Sequence, residues 1–250
     1  MKIALITGAS RGLGKNMALQ LAKKSYNIIF TYNNSNNAAL EVIKEIESFG
    51  QKAFAIKLNT LEVDSFDIFV EEFKNCLKLN FDTNCFDLLI NNAGIGINNS
   101  FENTTLKEFD DLMNIHIKAP FFLTQKLLPY IKDNGNILNI STGLTRFSLD
   151  GFCAYATMKG AVEVMTKYQA LELGKRGISV NVIAPGAIET DFGNGVVRDN
   201  EEINKLIASK IALGRVGVAN DIGEAVANLV SSECKWINGQ RIEISGGMCL

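Results

Sequence analysis

Lys2-Ile3-Ala4-Leu5-Ile6-Thr7-Gly8-Ala9-Ser10-Arg11-Gly12-Leu13-Gly14 follows the initial methionine. Its first half is a compact apolar run closed by Thr7-Gly8. From Arg11 to Lys24 the apolar residues recur at helical intervals. A strand that passes through three glycines into a helix suits a dinucleotide pyrophosphate. Glycines there permit a tight turn, close approach of backbone to phosphate and close helix–strand packing. The free N–H groups of the first helical turn then face the anion. The spacing of Gly8, Gly12 and Gly14, G-x-x-x-G-x-G, is a variant of the more familiar fingerprint, and a plain structural turn would use the same residues. Position favours the binding reading, because the glycines directly follow a first strand. The cofactor-binding candidates in this loop are Gly8, Ser10, Arg11, Gly12, Leu13 and Gly14.

Outward from this loop the pattern repeats. Strands are predicted at 27–32, 53–58, 88–91, 136–141, 179–183 and 241–244, with helices at 37–49, 65–77, 106–131 and 154–173. Unbroken apolar runs such as Leu88-Leu89-Ile90 and Ile137-Leu138 read as strands covered on both faces. Regular β–α alternation requires crossover connections, hence a parallel sheet with helices on both sides. No linker, repeat or low-complexity stretch interrupts the series. The expected fold class is α/β, a single doubly wound Rossmann domain over residues 1–250, with a substrate lid at about 187–211.

Composition narrows the function. The 250 residues carry a formal charge of −2 with scattered Lys and Arg, which disfavours a nucleic-acid partner. The apolar N-terminal run is too short for a signal-peptide core, and no later stretch is expected to span a membrane. Five cysteines, an odd number without metal-ligand spacing, suggest reduced thiols in the cytoplasm and no metal.

Cofactor choice turns on the end of the second strand, Phe30-Thr31-Tyr32-Asn33-Asn34-Ser35, which lacks the carboxylate usual for NAD(H). Arg11 is available for a 2′-phosphate. NADP(H) is therefore expected, with NAD(H) as the alternative, and Tyr32 and Asn33 join the cofactor candidates.

Ala154-Tyr155-Ala156-Thr157-Met158-Lys159 places a phenol and an ammonium on one helix face. A free phenol, with a pKa near ~10, exchanges protons too slowly at neutral pH. A cation about 5 Å away, at an effective dielectric near 20, is worth roughly 3 kcal/mol, or about two pKa units. The expectation is a Tyr155 made more acidic by Lys159, able to protonate a developing alkoxide.

These motifs together resemble the short-chain dehydrogenase/reductase family. The likeness covers the Thr7-to-Gly14 loop, Asn91-Asn92-Ala93-Gly94, Tyr155 with Lys159, and Asn181-Val182-Ile183-Ala184-Pro185-Gly186 with Thr190. It continues through Leu213-Gly214-Arg215, Gly239-Gln240 and Ser245-Gly246-Gly247. The resemblance implies hydride transfer between a nicotinamide and a carbonyl or alcohol carbon. Tyr155 would be the general acid/base, and Lys159 would tune it and hold the nicotinamide ribose. Asn59, Asn92, Ala93, Gly94, Pro185, Gly186, Ile188 and Thr190 would join the cofactor site.

Two positions depart from the family pattern. The substrate-orienting hydroxyl, normally a serine, falls on Thr142, with Ser141 beside it. A helix asparagine that helps hold a relay water is replaced by His116, the only histidine. His116 reads equally as a packing residue or as a ligand of that water or of substrate, in which case an extra titration near neutral pH is expected. Phe147, Leu149, Phe152 and Phe192 suggest a partly apolar small-molecule substrate; Arg146 is either a solvated charge or an anion contact. The alternatives are reduction of 3-oxoacyl thioesters on an acyl carrier protein, and a nicotinamide-binding sensor without catalysis. The resemblance also implies a dimer or tetramer through the helices at 106–131 and 154–173.

Overall fold

Strands β1 (Lys2–Ile6) and β2 (Tyr26–Tyr32) alternate side chains between two apolar environments, as β-rich runs buried on both faces must. Ala4, Ile6, Ile28 and Phe30 face one layer; Ile3, Leu5 and Ile29 face the other. The computed structural model describes residues 1–230, 234 and 236–250. Further strands are β3 (Ala53–Lys57), β4 (Phe86–Asn91), β5 (Ile131–Ile140), β6 (Ser179–Pro185), β7 (Ile188–Glu189), β8 (Gly217–Val218) and β9 (Arg241–Ile244). Seven of them form one parallel sheet in the order β3-β2-β1-β4-β5-β6-β9, and β7 pairs with β8 separately.

Helices cover both faces, as expected for a Rossmann-like α/β fold. α1 (Gly12–Lys23), α2 (Asn36–Glu47) and α9 (Ala219–Leu229) pack on one side. α3 (Phe66–Phe81), α5 (Ala119–Leu127) and α6 (Cys153–Leu173) pack on the other, around Phe66, Phe73 and Phe86. α4 (Leu106–Met113) and the short α7 (Val196–Asp199) and α8 (Glu201–Ala208) lie among the loops that follow the strands. Strand order reverses at β1, between β2 and β4, so the loops after β1 and β4 splay apart there and leave a crevice.

The helix predicted over 106–131 is divided. Pro120 has no N–H to give the carbonyl of His116, and its ring crowds that oxygen. Residues 114–118 accordingly widen into a π turn, closed by Ala119 N–H on the Asn114 carbonyl. Pro129 lies in a terminal 3₁₀ turn over Leu128–Tyr130, and Ile131 already belongs to β5. That strand begins five residues earlier than the sequence suggested, because its register against β4 shifts between Phe86 and Leu88.

A polar ladder crosses the otherwise apolar centre. Asn91 donates to Asn139 Oδ1 at 2.8 Å and to Thr124 Oγ1 at 3.0 Å. Asn139, fully buried, donates to Thr166 Oγ1 at 2.9 Å and Gln169 Oε1 at 3.0 Å. Replacing Asn139 by leucine strands these buried groups. Asn139→Leu is expected to lower unfolding stability by about 2–3 kcal/mol, measured by urea denaturation.

Candidate functional site

The crevice is held by a clasp between the first and fourth strand ends. Thr7 Oγ1 accepts the backbone N–H groups of Asn92 and Ala93, both at 2.9 Å. In return Asn92 Nδ2 donates to the carbonyls of Thr7 at 2.8 Å and Gly8 at 3.1 Å. Gly8 has φ +66°, and a Cβ there would come within 2.9 Å of Ala93 Cα. At Gly14 a Cβ would meet Gly8 O at 2.5 Å. The N-terminus of α1 has no side-chain cap and no acid in its first turn, so its N–H groups remain available to an anion. This cradle, which side chains at Gly8 or Gly14 would fill, fits a dinucleotide.

The other cofactor candidates lie along the same edge of the sheet. Ser10, Leu13 and the exposed Arg11 follow β1. Tyr32 and Asn33 stand at the end of β2. Asn59 follows β3, where its side chain donates to Glu62 at 2.7 Å and accepts from Leu61 N–H at 3.2 Å. Gly94 abuts the His116 ring, and a Cβ there would meet Cε1 at 2.7 Å. Pro185 closes β6, Gly186 N–H bonds Ile244 O at 3.0 Å, and Ile188 begins β7. Thr190, 8 % exposed, lies opposite Gly12.

Tyr155, Lys159, Thr142 and His116 come together where α6 passes the end of β5. The rings of His116 and Tyr155 stand edge to face at 5.3 Å, and Lys159 Nζ lies 5.7 Å from the centre of the Tyr155 ring. Phe152 and Phe192 flank the phenol at 6.3 and 5.8 Å. Ile95, Ile97, Leu144 and Met113 complete an apolar wall. Arg146 is neither free nor directed at this pocket: it pairs with Glu243 at 2.7 Å and donates to the carbonyls of Met248 and Cys249.

Electrostatics here differ from the sequence expectation. Tyr155 is 5 % exposed, and burial raises its pKa above the ordinary phenol value, while a hydrogen bond from Thr142 acts against that rise. Lys159 does not bring about the expected fall, because burial lowers its own pKa to about 7 and thins its charge at neutral pH. One of its N–H groups donates to Ile140 O at 2.8 Å. His116 is also corrected. Burial, then the Lys159 charge, holds its pKa well below the usual imidazole value, so no titration near neutral pH arises from it. Its Nε2 bonds Ile95 O at 2.8 Å and therefore carries the proton, since a carbonyl only accepts. Nδ1 is left as a buried acceptor, unpartnered among the described residues, as is Asn91 Oδ1. His116, Asn91, Lys159 and Asn139 line a cavity of about 10 Å³.

Thr7, Thr31, Glu163 and Arg241 were missed as structural parts of the site. Gly8 N–H donates to Thr31 Oγ1 at 3.0 Å. A hydroxyl at the end of each of two apolar strands was the available signal.

A family model described as enoyl-(acyl carrier protein) reductase matches residues 8–249. A hydroxynaphthalene reductase-like protein, Arp2, of Metarhizium brunneum is 35 % identical over 258 residues, covering 98 % of this chain and 94 % of the relative. The 3-oxoacyl-[acyl-carrier-protein] reductase FabG of Staphylococcus aureus is 35 % identical over 249 residues, covering 99 % and 98 %. The crystal structure of the angucycline C-6 ketoreductase LanV with bound NADP superposes with a TM-score of 0.94 at 33 % identity, covering 99 % of this chain and 95 % of that one. Among the described residues no helix is long and apolar enough to cross a membrane.

The Lys159 shift fixes a sign. Below pH 7 the ammonium is charged in both folded and unfolded chains, and its burial penalty is complete. Between about 7 and 10.5 the unfolded chain holds the proton more tightly, so stability rises with pH and the penalty fades. Lys159→Met should therefore stabilise the protein at pH 6, by on the order of a few kcal/mol, and much less at pH 10, as read by urea unfolding.

Proposed function

Since the chain belongs to the short-chain dehydrogenase/reductase family, as an NADP(H)-dependent oxidoreductase that interconverts a carbonyl and an alcohol, we propose that Tyr155 is its general acid/base and that its substrate is a small, largely apolar ketone. The observation that carries this reading is the convergence of the Thr142 hydroxyl and the Lys159 ammonium on a phenol walled by aromatic rings.

The glycine loop with Ser10, Arg11 and Leu13 holds the pyrophosphate and 2′-phosphate ends of the cofactor, and Tyr32, Asn33 and Asn59 flank the adenosine. Asn92, Ala93, Gly94, Pro185, Gly186, Ile188 and Thr190 line the remainder. When bound, NADPH supplies the hydride. Thr142 donates a hydrogen bond to the substrate carbonyl and fixes its orientation. Tyr155, kept protonated by burial, gives its proton to the carbonyl oxygen as negative charge develops there. Lys159 stabilises the phenolate left behind. The raised phenol pKa favours the reductive direction, in which the hydroxyl begins protonated.

His116 acts as a fixed acceptor, its Nδ1 receiving a hydrogen bond from a water in the small cavity beside Lys159. The unpartnered Nδ1 and Asn91 Oδ1 support that role. The whole chain works as one domain, with residues 187–211 as a lid whose Phe192 covers Tyr155. The chain assembles as a dimer or tetramer through α5 and α6, which leave Phe121, Phe122, Val164 and Tyr168 exposed. The reducing cytoplasm suits its five cysteines, none in a disulfide among the described residues.

The FabG relative supports a second reading, reduction of 3-oxoacyl thioesters. The aromatic wall around Tyr155 favours the ketone. NADPH oxidation across a panel of aryl ketones and acyl thioesters discriminates the two. Tyr155→Phe should lower kcat by about 10²–10⁴ on any accepted substrate while NADPH binding persists. Full turnover by that variant overturns the assignment, and NADPH binding without turnover on any carbonyl returns the sensor reading. His116→Leu should cost about tenfold in kcat, and His116→Asn, which keeps an acceptor, much less.

A further inference from the structure

The hydroxyl of Thr142 can orient a carbonyl only if its backbone is fixed relative to Tyr155. Thr142 caps a short turn, Gly143–Thr145, at the end of β5, where the chain has left the sheet ladder. Its carbonyl accepts from Arg241 Nη2 at 3.2 Å, across from β9. Arg241 in turn donates through Nε to Glu163 Oε1 at 2.8 Å. The same carboxylate oxygen accepts from Ser141 Oγ at 2.7 Å and Thr145 Oγ1 at 2.6 Å, the residues just before Thr142 and three beyond it. Glu163 stands on α6 four residues after Lys159 and eight after Tyr155, on one stripe of the helix. One carboxylate oxygen thus joins the segment bearing Thr142 to the helix bearing the phenol.

Charge is balanced along this connection. Arg241 also pairs with Glu243 at 2.9 Å, and Glu243 with Arg146, so two acids and two guanidinium groups alternate. The side chains of Glu163 and Arg241 are 17 % and 22 % exposed, so water competes weakly for the pair. A sequence that needed only to hold β9 against β6 has its backbone ladder for that purpose. Three donors directed at one acidic oxygen beside the substrate hydroxyl fit a more specific task.

We propose that Glu163, braced by Arg241, is a positioning residue that sets the Thr142 hydroxyl against Tyr155 for carbonyl reduction. Neither side chain touches substrate or cofactor; both act through Thr142. The inference rests on the assignment of Thr142 as the substrate-orienting hydroxyl.

The test is a double-mutant cycle on the full-length protein with Thr142→Val, Glu163→Ala and the combination. It reads kcat and KM on an accepted ketone, NADPH affinity by nicotinamide fluorescence, and the melting temperature. Thr142→Val and Glu163→Ala are each expected to lower kcat by about tenfold or more, with NADPH affinity within about twofold. In the Thr142→Val background Glu163→Ala should then cost less than about twofold, because the group it positions is already gone. Glu163→Gln, which keeps an acceptor but not the charge, should recover part of the loss. Losses that multiply fully in the double variant overturn the proposal and leave Glu163 a general support of the fold. So does normal kcat in Glu163→Ala. Full activity in Thr142→Val instead removes the underlying assignment and the proposal with it. Should Glu163→Ala fail to fold, Glu163→Gln and Arg241→Lys carry the same cycle.

Discussion

The reciprocal clasp between Thr7 and Asn92 is the constraint on which the candidate site depends. Strands β1 and β4 are neighbours, but their chains leave the sheet toward opposite flanks, and nothing in the ladder fixes the distance between the departing loops. Four hydrogen bonds, two in each direction, fix it. With that spacing set, Gly8 can lie against Ala93 and α1 can approach the loop closely enough that Gly14 has no room for a side chain. The clasp also holds the start of the segment that runs to Gly94 and Ile95, and so the carbonyl that bonds His116.

Burial governs the chemistry of this site more than proximity does. Counting the Lys159 charge at short range, as though both groups were solvated, gives a more acidic Tyr155. Inside the protein the same ammonium is itself disfavoured, and the phenol loses more from leaving water than it gains from a weakened neighbour. The outcome is a pair held near neutrality, with a protonated phenol ready to donate and a lysine whose charge is called up as phenolate forms. Similar logic holds His116 neutral: with Nε2–H committed to Ile95, its remaining function is that of an acceptor.

Much of the architecture was legible in the chain because unbroken apolar runs and helical spacing are local signals. The glycine loop and the Tyr155–Lys159 pair were legible for the same reason, being short and contiguous. The division of the long helix was not, although Pro120 and Pro129 were in plain view, since a proline announces a disturbance without saying how the helix absorbs it. Glu163 and Arg241 lie 78 residues apart, and neither belongs to a motif; only the fold brings them beside Thr142. The electrostatic sign was hidden too, because exposure is a property of the packed molecule.

The widened turn at Asn114–Lys118 also bears on how chains of this design can change length. Against a regular helix it contains one residue in surplus, which phases all that follows by about 100°. Loss of a single codon there would let the helix close normally and rotate α5 as a unit, carrying Leu123 and Leu127 out of the core and the half-exposed Phe122 toward it. Insertions and deletions at this point are thus far costlier than most replacements, so the count of residues between Thr105 and Pro120 is under tighter physical control than their identities.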